Sequence, residues 1–280
     1  MKIALGTVQW GLDYGVANTN GIPNDKALTN ILSLAIDNNI NLLDTAVQYG
    51  NAEKRIGQLA TAENKIITKI GSFSDSNSLE NQLENSFKNL NRAYIYGCLF
   101  HNSNELLENK QHWAELLNYK KTGKIKKIGY SLYAPEVLVA LLKEGFLPDI
   151  VQIPYSILDR TFEPYFELLK EKGVEIHVRS VFLQGLYFKS LKELDPIYAD
   201  LRQSLKSVQL IRERNDLSVL ELALCYVTQN KFIDYVVLGI ETAQQLAQII
   251  KASEKKLSQK TIEEIKLIQL ENKTMLNPVN

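Results

Sequence analysis

The 280-residue chain has little cysteine: only Cys98 and Cys225 occur, and neither belongs to a C-x-x-C pair. Two cysteines are too few for a disulfide framework, and without paired spacing no cysteine zinc site is expected. Surplus charge of one sign is lacking too. Lys plus Arg number 32 and Asp plus Glu number 32, a formal net charge of zero. Such a chain has no global attraction to nucleic acid or an anionic membrane. Long hydrophobic runs are missing as well. Apolar stretches such as Val219 to Val227 carry Glu221 and fall short of the roughly 20 residues of a membrane span. The start, Met1-Lys2-Ile3-Ala4-Leu5-Gly6, lacks a signal-peptide core followed by a cleavage site. These absences predict a cytoplasmic protein with no nucleic-acid or membrane partner. Finally, no G-x-G-x-x-G follows a strand pattern and no G-x-x-x-x-G-K-[ST] occurs. A nucleotide, if bound, is not held by either of those loops.

What is present is ordinary globular material, 45% apolar and 23% charged, which excludes wholesale disorder. Short apolar runs alternate with longer helical patterns. Strands are expected at 3–7, 42–44, 65–70, 94–101, 126–131, 149–153, 175–180 and 235–239. Residues 24–38 place Leu28, Ile31, Leu32 and Ala35 at helical spacing. Asn51 reads as a helix cap, Gly123 as a helix-ending glycine and Pro135 as a helix opener. Further helical patterns cover 164–170, 191–214, 219–228, 242–250 and 259–271. Eight strands, each followed by a helical stretch and undivided by any long linker, predict an α/β fold. The expected architecture is a single (β/α)₈ TIM barrel domain over residues 1–280.

In such barrels the active site lies at the C-terminal ends of the strands. Asp44 ends the second strand, Lys69 lies in the third, and His101 ends the fourth. Tyr49 follows Asp44 by five residues, in the loop at the same face. Singly, each has an ordinary structural reading: turn residue, paired cation, structural histidine, packing phenol. Together on adjacent strands they make a useful set. A tyrosine ordinarily titrates near about 10. A nearby ammonium stabilises its phenolate, a carboxylate keeps that ammonium charged, and an imidazole orients a carbonyl. That combination protonates an oxygen while hydride arrives at its carbon.

The sequence resembles the aldo-keto reductase superfamily over nearly its whole length. The resemblance rests on Leu5-Gly6-Thr7, on Asp44-Thr45-Ala46-Val47-Gln48-Tyr49-Gly50-Asn51-Ala52-Glu53 and on Ile67-Thr68-Lys69. It continues through Phe100-His101, Gly123 to Ser131, Val151 to Ser156, and Arg179-Ser180 to Gly185-Leu186. It implies a barrel that binds NADP(H), or alternatively NAD(H), without a Rossmann fold. It implies a catalytic tetrad of Asp44, Tyr49, Lys69 and His101: Tyr49 as general acid or base, Lys69 tuning it, Asp44 holding Lys69, and His101 orienting the carbonyl. Cofactor contacts carry over to Thr7, to Ser131 and Gln152 at the nicotinamide carboxamide, and to Arg179, where many members stack an aromatic ring. Ser180, Leu183 and Gly185 match the pyrophosphate loop, and Gly239, Glu241 and Gln245 the adenosine segment. Ordinary roles stand beside these: barrel-layer packing for Gln152 and a helix N-terminal turn for Glu241. Trp10 and Tyr14 admit two readings, substrate mouth or rim packing.

Several positions depart from the family pattern. Leu132 follows Ser131 where asparagine is frequent, the segment 238–245 offers no basic residue to a 2′-phosphate, and Ile249 replaces a polar residue. An acidic side chain such as Glu241 suits ribose hydroxyls and repels a phosphate. The first barrel strand starts near Ile3, so the N-terminal hairpin plug of many members is not expected. The tail after Glu271 is short, which points to an open, polar site and a sugar-like carbonyl or alcohol substrate. His112 and His177 show no metal-ligand pattern. The basic run Lys120 to Lys127 reads as a solvated helix end at the opposite face. Two other functions compete with an oxidoreductase: a nicotinamide-sensing binding subunit with little turnover, and a barrel enzyme using Lys69 as a Schiff-base amine.

Overall fold

In the computed structural model, which describes residues 2–15, 18, 21–74, 77–192 and 194–270, eight parallel strands pair in chain order. The sheet closes β1-β2-β3-β4-β5-β6-β7-β8 and back to β1. The first half runs β1 (Ile3–Gly6), α1 (Asp25–Asp37), β2 (Leu42–Asp44), α2 (Ala52–Leu59), β3 (Lys65–Ile70), α3 (Leu79–Leu90) and β4 (Ile95–Phe100). Then come α4 (Asn104–Glu108), α5 (Gln111–Lys121), β5 (Ile125–Ser131), α6 (Pro135–Lys143) and β6 (Ile150–Pro154). The last part is α7 (Phe166–Glu171), β7 (Glu175–Arg179), α8 (Arg202–Arg214), α9 (Val219–Thr228), β8 (Tyr235–Gly239), α10 (Ala243–Ser253) and α11 (Gln259–Lys266). This is a (β/α)₈ barrel, as expected.

The strands are apolar on both faces because both faces are covered. Inside the barrel Ala4, Leu42, Ile67, Leu99 and Ile150 form a dry layer. Outside, Leu5, Leu43, Ile66 and Val236 join the core beneath the helices. Helix starts are set by side-chain caps: Asn24 accepts from Ala27 N, Ser78 from Asn81 N, and Ser218 forms a capping box with Glu221. Pro135 opens α6 at its first turn. Asn51 is the N-cap of α2 but makes no side-chain capping bond.

The helical expectation over 191–214 is corrected. Pro196 starts a separate 3₁₀ stretch, Pro196–Leu201, and the α-helix proper begins at Arg202. Proline supplies no amide donor to a continuous helix. The final helix ends at Lys266; the tail from 271 on lies outside the described residues. No strand precedes β1 among the described residues. The N-terminal end of the barrel is filled by Tyr96 and Tyr235, packed against the inner layer. There Glu175 accepts from Lys127 Nζ at 2.6 Å and from the Tyr96 hydroxyl at 2.9 Å, with His177 Nε2 at 3.3 Å. Among the described residues no helix is long and apolar enough to cross a membrane.

Candidate active site

The strand ladder continues past the ends of β2 and β3 and so fixes the loop that carries Tyr49. Thr45 N donates to Ile67 O at 2.8 Å, and Val47 N to Lys69 O at 3.0 Å. Gly11 lets the β1 loop press against this turn: a Cβ there would lie 1.9 Å from the Tyr49 carbonyl. The four tetrad positions converge. Lys69 Nζ donates to Asp44 Oδ1 at 2.6 Å, to Thr45 O at 2.9 Å and to Tyr49 Oη at 3.4 Å. The His101 ring meets the Tyr49 ring edge-on, centroids 5.7 Å apart. Lys69 is 1% exposed, so its charge is tolerated only because Asp44 sits against it. Burial by itself pushes the ammonium's pKa down; the Asp44 carboxylate and the Tyr49 oxygen outweigh it, and the net direction is up. His101 is pushed down to about 3, by burial first and then by the charges of Lys69 and Arg179. It is therefore a neutral imidazole at physiological pH. Its Nδ1 is buried with no partner among the described residues. An unpaired acceptor costs less than an unpaired N–H, which leaves the proton on Nε2.

Asp44, Tyr49 and His101 stand in the wall of a cavity of about 850 Å³, toward the upper end for ligand pockets, and the buried Lys69 is behind them rather than in the wall. Thr7, Tyr14, Ser131, Gln152 and Arg179 line it. So do Ser180, Gly185, Gly239, Glu241 and Gln245. Besides Lys69, two expected residues do not. Trp10 is fully buried, its indole N–H donating to Ile240 O at 3.0 Å, and it is a core residue rather than part of the substrate mouth. The side chain of Leu183 is buried in the apolar core, and its neighbours Phe182 and Gln184 face the cavity instead. The sequence reading missed Gln9, Gln48, Tyr133 and Phe188, all in the wall. Gln9, Gln48 and Tyr133 lie within a few residues of a strand end, the one signal available for finding them; Phe188, far past the end of β7, offers none.

The wall suits an extended polar ligand with phosphates. Leu183, Gln184 and Gly185 form a run of left-handed backbone, φ 46°, 55° and 94°. Such runs can turn amides toward an anion, but Leu183 N and Gly185 N already donate to Ser180 O and Phe182 O at 2.9 Å, which leaves the Gln184 amide for that role. Gly239 lets the Gln9 amide pack against the end of β8, since a Cβ would meet it at 2.5 Å. Gln9 Oε1 is buried without a partner, an acceptor left for a ligand donor. Gln152 Nε2 donates to Asp44 Oδ2 at 2.7 Å. At the far end Gln245 closes a capping box with Thr242, and its Nε2 reaches Glu241 Oε2 at 3.3 Å. Arg179 is the one cation in the wall among the described residues. Its Nη2 donates to Leu132 O at 3.1 Å, its Nη1 to Ser180 Oγ at 3.3 Å, and the guanidinium lies 4.1 Å from the centre of the Tyr133 ring.

A sequence model of the Aldo/keto reductase family matches residues 2–269. The chain is 28% identical to the uncharacterized oxidoreductase YqkF of Bacillus subtilis, aligned over 90% of each chain. It is 25% identical to the NADH-specific methylglyoxal reductase of Escherichia coli, over 90% of this chain and 89% of that one. The L-glyceraldehyde 3-phosphate reductase of the same organism is 24% identical over 89% and 84%. Among solved structures, the holo form of aldo-keto reductase AKR11C1 from Bacillus halodurans superposes with a TM-score of 0.77, covering 96% of this chain and 92% of that one at 23% identity.

Proposed function

Because the chain belongs to the aldo/keto reductase family and is an oxidoreductase, we propose that it uses a nicotinamide dinucleotide to interconvert a small polar carbonyl compound and its alcohol. The observation that carries this reading is the buried Asp44–Lys69 pair set against the Tyr49 hydroxyl. Nicotinamide supplies the hydride; the protein supplies the proton and the positions. Tyr49 gives its proton to the carbonyl oxygen. Lys69, held charged by Asp44, stabilises the negative charge left on the Tyr49 oxygen. Neutral His101 donates a hydrogen bond to the same carbonyl and fixes its direction. In the alcohol-to-carbonyl direction Tyr49 takes the proton back.

Ser131 and Gln152 are assigned to the nicotinamide amide, the 180–185 loop to the phosphates, and Glu241 with Gln245 to the adenosine. The Glu241 carboxylate at this end of the wall favours NAD(H) over NADP(H), because a 2′-phosphate would face it. Gln9, Gln48 and Tyr14 give the mouth several polar atoms, which supports a sugar-like or other oxygen-rich substrate. Two relatives carry such compounds in their names, L-glyceraldehyde 3-phosphate and methylglyoxal. The whole chain acts as one domain in this scheme. Calorimetric titration with NADH and NADPH, followed by turnover on hydroxyaldehydes, sugars and bulky apolar aldehydes, tests it. Binding of neither nucleotide overturns the assignment; efficient reduction of only the apolar aldehydes overturns the polar substrate.

A further inference from the structure

Arg179 is a cation set in the cavity wall. It makes no ion pair with any described residue, although it is mostly buried in the cavity wall. Its position is fixed from three sides, by Leu132 O, Ser180 Oγ and the Tyr133 ring. Glu241 also lines the cavity, at the end proposed for adenosine, while the charges nearest the Tyr49 hydroxyl cancel or are absent. Lys69 is neutralised by Asp44, and His101 is uncharged. Around the proposed nicotinamide contacts Arg179 is therefore the uncompensated positive charge among the described residues. Strand register puts that charge beside the proposed nicotinamide contacts: Ser131 pairs with Gln152, and Pro154, two residues beyond Gln152, pairs with Arg179.

We infer that Arg179 makes this protein discriminate between the two oxidation states of its cofactor, holding the reduced dinucleotide and disfavouring the oxidised one. The inference rests on the nicotinamide reading above. Reduced nicotinamide is a neutral ring; the oxidised ring has lost a hydride and carries a positive charge. A fixed cation in a partly dehydrated wall repels the second and leaves the first untouched. Arg179 cannot shed its proton to relieve that repulsion. An aromatic ring in the same place would act in the opposite sense, since its π face attracts a cation. The consequence is directional: the protein loads with reduced cofactor and releases the oxidised form readily, the behaviour of a reductase.

Calorimetric titration of wild type, Arg179→Gln and Arg179→Lys with NADH and NAD⁺ tests this; NADPH and NADP⁺ replace them if they bind more tightly. Wild type is expected to bind the reduced form at least about tenfold more tightly, a difference of about 1.4 kcal/mol. Arg179→Gln should cut that ratio at least about fivefold, by tightening the oxidised form. Arg179→Lys, which keeps the charge, should retain most of it. An unchanged ratio in Arg179→Gln overturns the inference. So does an equal loss of affinity for both forms, which would make Arg179 a phosphate contact. If wild type binds no dinucleotide, the proposed function itself has failed.

Discussion

Gln152 reaches across the barrel mouth to Asp44: its Nε2 donates to Asp44 Oδ2 at 2.7 Å, while Lys69 occupies Oδ1. Both carboxylate oxygens are thus satisfied in a buried site. Gln152→Leu removes one donor and leaves Oδ2 unpaired, a cost of about 1–3 kcal/mol. Denaturant unfolding at neutral pH should show that loss. Wild-type stability in the variant would mean that Asp44 does not depend on Gln152.

Tyr49 is the proposed proton donor, so Tyr49→Phe should lower kcat by roughly 10² to 10⁴-fold. Dinucleotide affinity should stay within about twofold. Single-turnover kinetics alongside calorimetry separates the two. Retained turnover would move the donor elsewhere.

His101 stays neutral in the folded protein down to about pH 3. Its imidazole resonances, assigned by comparison with His101→Asn, should not titrate between pH 5 and 8. The unfolded chain protonates this residue near 6.5, so it binds a proton the folded state refuses. Stability is therefore lost on this account as pH falls from 6.5 toward 3. His101→Asn should flatten that part of the stability–pH curve; an equally steep curve would remove the assignment.

Glu175 is held down to about 2. Burial opposes its charge, but hydrogen bonds from His177, Lys127 and Tyr96 outweigh burial. A depressed carboxyl pKa adds stability that is complete above about 4.5, the ordinary value, and disappears as pH falls through that value toward 2. Glu175→Gln should therefore be less stable than wild type at pH 7, by roughly 1–2 kcal/mol. The gap should narrow on acidification. Thermal unfolding across pH 2–7 measures it; a gap that stays constant down to pH 2 would rule out the charge as the source.

Among the described residues Glu241 is the acidic group lining the proposed adenosine end of the cavity. Glu241→Arg should shift preference from NADH toward NADPH by at least about tenfold, read from the two dissociation constants. A wild type that already prefers NADPH would place the 2′-phosphate against another residue.

Much of this arrangement could be read in the sequence because parallel buried strands are short uninterrupted apolar runs. β2, β3 and β8 begin and end where their apolar runs do, and the other strands differ by a residue or so at an end. Asp44, Lys69 and His101 were visible because a polar residue in or at the end of such a run is conspicuous. Orientation was not visible. Val8–Trp10 forms a 3₁₀ turn, and nothing local tells that Trp10 turns inward to Ile240 while Gln9 faces the cavity. Nor did the sequence link Leu132 to Arg179. Both depart from the family pattern, and they meet only because the register of β5, β6 and β7 brings the two strand ends together.

The inner layer of Ala4, Leu42, Ile67, Leu99 and Ile150 has a bearing on proton supply. It lies between the Asp44–Lys69–Tyr49 group and the Glu175 cluster, and on β6 and β7 polar side chains, Gln152 and the buried His177, stand at the same level. The barrel is a well closed at one end. In the proposed reaction Tyr49, which lines the cavity, would be recharged with a proton through the mouth, along the route by which the alcohol departs. Product exit and recovery of the acid are then a single event, and a residue that plugs the mouth slows both together.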